Sequence, residues 1–198
     1  MELTTWNLPV LALRGLTVFP HMTLTFDVER PISIAALERA MEADQDIFLV
    51  TQREINVDKP TEQDLYTMGT ISRVTQILRL GQNSLRVMVE GGRRARLRRL
   101  WQTEPYLQGH VEVVEESVAV SHGPKTEALL RQTWTLFQDY AQLAGNVAEE
   151  VTAAALDCQD PGYLADLIAQ NIALRYDDKQ AILEEVSPLM RLRKLNGF

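Results

Sequence analysis

One cysteine, Cys158, is all the thiol chemistry in this 198-residue chain, so an intrachain disulfide is excluded and a cysteine-based metal site is not expected. Its helical spacing from Val151 and Ala154 reads as that of a small core residue. The three histidines, His21, His110 and His122, lie apart and have no carboxylate at relay spacing. No glycine is followed by lysine, which removes the phosphate-binding loop G-x-x-x-x-G-K-[ST], and no serine sits in a G-x-S-x-G context. Long apolar runs are missing too. LPVLAL is broken by Arg14, Glu2 stands where a signal peptide would carry basic charge, and no stretch approaches a membrane span of ~20 residues. Nor is there an excess of basic charge, the net being -7. A chain without catalysis, metal, cofactor or membrane, at a cytoplasmic address, is the expectation.

What is present is ordinary globular material, 45% hydrophobic and 24% charged, in a chain long enough to bury about 70% of its unfolded surface. The stretch from Asn7 to Leu24 reads as two short strands, with an exposed apolar corner at Phe19-Pro20-His21-Met22 between them. Pro31 opens an amphipathic helix carrying Ile34, Leu37 and Met41, and Ile47 to Val50 is an unbroken apolar run typical of a strand buried on both faces. Residues 54–66 read as a surface loop. Met68 to Leu80 and Ser84 to Glu90 are strands joined at Gly81-Gln82-Asn83, and Gly91-Gly92 breaks the second. Arg94, Arg96 and Arg98 then alternate with Ala95 and Leu97, and a last strand puts Leu107, Val111 and Val113 on one face.

Composition changes near Ser121-His122-Gly123-Pro124, and the period becomes helical. Leu130, Trp134, Phe137, Ala141 and Ala144 form one stripe, with Leu129, Leu136, Tyr140 and Leu143 beside it. Asn146 with Glu149 matches a capping box, and Asp160-Pro161, Asp177 with Gln180, and Ser187-Pro188 are further helix starts. The expected fold class is α+β: a mostly antiparallel β subdomain with one helix over residues 1–117, then a bundle of four or five helices over residues 122–198.

Three stretches together resemble one family. LPVLALRGLTVFPHM is similar to the opening of the N-terminal domain of bacterial Lon-type ATP-dependent serine proteases, with Pro9, Leu11, Leu13, Arg14, Val18 and Pro20 in the places of its pattern. YTMGTISRVTQILRLGQNSLRVMVEGGRRARL and DPGYLADLIAQNIALRYDDKQAILEEVSPLMRLRKL resemble its later segments, in the right order and over nearly the whole chain. The resemblance implies a PUA-like β subdomain and a non-catalytic role in capturing unfolded, damaged or degron-bearing polypeptides for downstream ATPase and protease domains. ATP and Mg are implied only for that ATPase, and a homo-oligomer for the full-length protein. Asn196-Gly197 reads as a helix stop where the family's last helix runs on, so a free-standing Lon-domain protein or adaptor is the alternative.

Two surfaces are candidates. A binder of many clients needs accessible apolar side chains, which points to Phe19, Pro20, His21 and Met22. Arg94, Arg96 and Arg98, within the five arginines from Arg93 to Arg99, would share one strand face and could contact nucleic acid or an acidic partner, unless Glu112, Glu115 and Glu116 on the next strand neutralise them.

Overall fold

The computed structural model describes residues 4–116 and 123–198. The chain is mixed α+β and divides into two compact units, Met1–Val114 and Glu115–Phe198.

The first unit contains β1 (Thr5–Leu13), β2 (Thr23–Val28), α1 (Pro31–Glu42), β3 (Asp46–Thr51), β4 (Met68–Arg79), β5 (Leu85–Gln102) and β6 (Leu107–Val113). The strands form one six-stranded sheet in the order β2-β5-β4-β3-β1-β6, and β6 pairs back onto β5. Closure follows from the length of β5, whose 18 residues give its first half to β2 and its second half to β6 while β4 lies along the other side. β1 and β3 run parallel, with Val10 opposite Phe48, because β2 and α1 separate them in the chain. Both are buried on two faces: Leu11, Leu13, Ile47 and Leu49 pack with Ala36, Leu37 and Ala40 of α1, while Val10, Ala12, Phe48 and Val50 pack with Leu107 and Val111. Pro31 does open α1, yet the helix turns Ala36, Leu37 and Ala40 inward and leaves Met41 38% exposed.

Gly91-Gly92 does not end the strand. Ile71 faces Arg93 and Ser72 faces Gly91, so Gly92 is the extra residue of a bulge within β5. Gly91 has a different task. A Cβ there would stand 2.0 Å from the Phe19 carbonyl oxygen, and the bare backbone instead donates from its N–H to Met22 O and accepts from His21 N–H, each at 2.8 Å. His21 takes φ 63° to make the turn.

The second unit holds α2 (Pro124–Ala144), α3 (Glu149–Asp157), α4 (Pro161–Asn171), α5 (Tyr176–Glu184) and α6 (Pro188–Leu195). Proline opens α2, α4 and α6, where its missing N–H costs nothing, and Gly145 at φ 65° closes α2. Asp160 caps α4 by accepting from Tyr163 N–H. Two expected starts move. Ala148, not Asn146, precedes α3, and Arg175, not Asp177, precedes α5, neither with a side-chain cap. Cys158 follows the last turn of α3, half-buried, so its helical spacing misplaced it in the core.

Arg191 of α6 is wholly buried and holds this unit together. Its Nη1 donates to both oxygens of the buried Asp166 at 3.2 and 3.1 Å, its Nη2 to Glu116 Oε1 at 2.7 Å and its Nε to Glu185 O at 2.9 Å. Asp166→Ala leaves that buried cation short of a partner and should cost about 3 kcal/mol in urea denaturation. Replacing Asp166 and Arg191 together by leucine should cost less than the single change, because no charge is then stranded. In the first unit, Gly91→Ala should lower stability by about 2 kcal/mol or more by the same measurement, since the new methyl must displace the Phe19 backbone.

Candidate polypeptide-binding surface

The corner expected to be exposed is turned inward. Phe19 is 0% and Met22 6% exposed, Pro20 is buried, and only His21 reaches solvent. The stitch to Gly91 draws the backbone down, and burying a side chain such as Phe or Met is worth about 1.5–3 kcal/mol, which an exposed corner would forgo. An apolar client surface at these four residues is therefore corrected to a core turn with one exposed histidine.

The arginine strand is corrected too. Arg94 is 2% exposed, Arg96 is half-buried and Arg98 is at the surface, so the three do not form one accessible basic face. Bulges between Leu97 and Arg99 and between Leu100 and Gln102 upset the alternation. Arg98 hydrogen-bonds Glu112, and Arg93 lies over the Trp6 ring at 5.2 Å. The Arg98 hydrogen bond, with the Arg96 charge adding to it, holds the Glu112 carboxyl below the usual glutamate range.

An apolar surface does exist elsewhere on this unit. An open groove of about 910 Å³ runs between Arg30-Pro31-Ile32 at the start of α1, the segment Asp58–Thr61, and the turn Thr103–Pro105 between β5 and β6. Prolines 31, 60 and 105 with Ile32 supply apolar walls, and Asp58, Lys59 and Glu104 stand around them. Its segments come from three separated parts of the chain, each ordinary by itself, and the one local signal was the repeated proline.

The groove is preformed because the loop beside it is tied down. Arg14 Nη2 donates to Asp58 Oδ1 at 2.6 Å, and Gln52 Nε2 donates to Glu54 O at 3.1 Å and Val57 O at 2.9 Å. Arg30 donates to Gln52 Oε1 and to Ala12 O, each at 2.6 Å. Burial, with the Arg14 charge adding to it, pulls the Arg30 guanidinium down to about 10, while Asp58 works in the other direction. Past the loop, Thr61 and Asp64 form a capping box on a single 3-10 turn, which holds the Asp64 carboxyl low, and Glu62 accepts from Leu100 N–H at 2.6 Å. What composition alone reads as a surface loop is anchored at both ends and in the middle.

Among the described residues no group of histidine, cysteine and carboxylate side chains could hold a metal ion. Among the described residues no helix is long and apolar enough to cross a membrane. The arrangement offers shape and apolar contact.

The model of the ATP-dependent protease La (LON) substrate-binding domain matches residues 7–198. The chain belongs to the Lon substrate-binding domain family. It is 42% identical over 192 residues to the Lon protease of Desulforamulus reducens and 38% identical over 192 residues to Lon protease 1 of Bacillus subtilis, covering 97% of this chain and 24% of each relative. The chain thus spans about a quarter of the length of the curated relatives it matches. In fold it resembles the N-terminal domain of Mycobacterium avium complex Lon protease, with a TM-score of 0.76 at 24% identity over 96% of both chains. A Lon N-terminal domain protein from Xanthomonas campestris gives a TM-score of 0.69 at 16% identity over 98% of both.

The lowered carboxyls of this Lon domain set an acid dependence. A folded-state pKa below the ordinary value, about 4.3 for glutamate, means that Glu112 contributes stability above that pH and loses it as the pH falls through its lower folded value. Glu112→Gln should therefore flatten the fall in denaturation midpoint below about pH 4.5. A fall as steep as in the wild type would show that the pair with Arg98 contributes nothing to folding.

Proposed function

We propose that this substrate-binding domain captures unfolded, damaged or degron-bearing polypeptides through the groove bounded by Ile32, Pro60, Thr103 and Pro105. The observation that carries the reading is the size and apolar character of a groove that exists before any client arrives. Unfolded chains share exposed apolar side chains and little else, and a site already ordered spends less binding energy on ordering itself. Phe19, Pro20 and Met22 are buried in the folded chain, so client contact moves from the corner to the groove, and His21 is the corner's only exposed member. The closed strand ring with a single helix supports reading this unit as PUA-like.

The same reading extends to the longer proteins of the family. There, captured chains would pass to ATPase and protease modules, ATP and Mg would belong to the ATPase, and the assembly would be homo-oligomeric and cytoplasmic. For this stretch the function is binding and delivery.

Fluorescence anisotropy with a labelled, reduced and carboxymethylated protein tests the reading. Thr103→Asp and Ile32→Asn place polar groups on the groove wall and should each weaken binding about tenfold, with Thr103→Asp leaving the thermal midpoint unchanged. Wild-type affinity in both variants would remove the groove from the binding surface.

A further inference from the structure

β2 is the one strand of the first unit that pairs on a single side among the described residues, against β5 alone. Its free edge has a definite polarity. Gly91 N–H donates to Met22 O, and the register continues as Leu24 opposite Val89 and Phe26 opposite Val87. Antiparallel ladders alternate bonded and non-bonded pairs, so Leu24, Phe26 and Val28 spend their backbone groups on β5 while Thr23, Thr25 and Asp27 aim N–H and C=O outward. Unpaired strand edges accept another strand and little else.

Beside this edge lies a slot of about 330 Å³, lined by Leu11 to Arg14 and Leu16 on one side and by Phe26 to Arg30 on the other. The slot exists because β6 covers β1 only from Thr5 to Val10, which leaves the end of β1 without a paired strand on that side among the described residues. Arg30 already occupies the Ala12 carbonyl of β1 at 2.6 Å, which removes that acceptor, while the outward groups of β2 face the slot's other side. A strand needs ~3.3 Å per residue along its length and about 4.8 by 10 Å across it. The slot therefore admits about two residues of one extended chain beside Asp27, and Thr23 and Thr25 continue the same edge beyond it. Phe26 and Leu16, both partly buried, give every second side chain of such a segment an apolar seat. Arg30 lines both the slot and the groove described above.

We infer that an extended segment of a captured polypeptide adds to the free edge of β2 as a further strand, held through the outward backbone groups of Thr23, Thr25 and Asp27. The inference rests on the polypeptide-binding reading above and specifies how part of the client is held. Backbone pairing is indifferent to sequence, which suits a binder of many clients, while the apolar seat favours segments with alternating apolar residues.

The test uses a soluble, labelled peptide of alternating valine and threonine, and the same peptide N-methylated at alternate amides. Thr25→Pro removes one outward N–H and spares the bonds to β5, whereas Thr25→Val keeps it. Thr25→Pro and N-methylation should each weaken binding about tenfold, and Thr25→Val should bind as the wild type does. The peptide pair is decisive even if Thr25→Pro fails to fold, and equal affinity for the two peptides overturns strand addition. A wild-type dimer seen in sedimentation and lost in Thr25→Pro would assign the edge to a second copy and also overturn it. Binding of carboxymethylated protein without binding of the alternating peptide ends this inference alone, whereas binding of neither ends the reading beneath it.

Discussion

The first unit depends on the absence of a side chain at Gly91. The Phe19 carbonyl occupies the space a Cβ would take, and the two hydrogen bonds to Met22 and His21 form only at that approach. Once the chain is pinned there, Phe19 and Met22 fall into the interior, His21 adopts its left-handed turn, and β2 starts at Thr23 already in register with Glu90. The outward set of amides on β2 is thus fixed by a glycine on the neighbouring strand. One missing methyl decides which side of β2 is available.

Local features were legible in the residues alone. The buried run of β3, the turn around Gly81 to Asn83, Pro31 at the start of α1 and the helix starts at Asp160-Pro161 and Ser187-Pro188 all rest on interactions within a few residues. The family pattern was legible for a related reason, since motifs are local strings taken in order. Pairings between distant segments were not legible. Phe19-Pro20-His21-Met22 has the same composition whether it faces solvent or core, and the choice is made by Gly91, far along the chain. Gly91-Gly92 looks like an ending but is a close approach followed by a bulge. Asn146 offered a cap that the backbone of α3 does not use, because the helix begins only at Glu149.

The groove and the β2 edge have one physical basis: backbone or apolar surface held open by polar ties at its margins. Arg30 is the shared tie. It sits half-buried against Arg14, at a cost visible in its lowered pKa, and in return joins β1, the end of β3 and the loop through Ala12, Gln52 and Asp58. A rigid margin means that, in the proposed binding, a flexible client would lose its own freedom while the domain would lose little. The arginines of β5 serve a different end, with Arg98 committed to Glu112 and Arg94 in the interior.

Thr5 at the start of β1 lies opposite Glu112 near the end of β6. The first and last strands of the ring therefore begin and end at neighbouring points. Tension drawn along the polypeptide would meet the β1–β6 pair end-on and open it as a zipper, one rung after another from Thr5. β6 is also paired to β5, with Val113 opposite Ala95, so a second seam would still hold the ring after the first had parted.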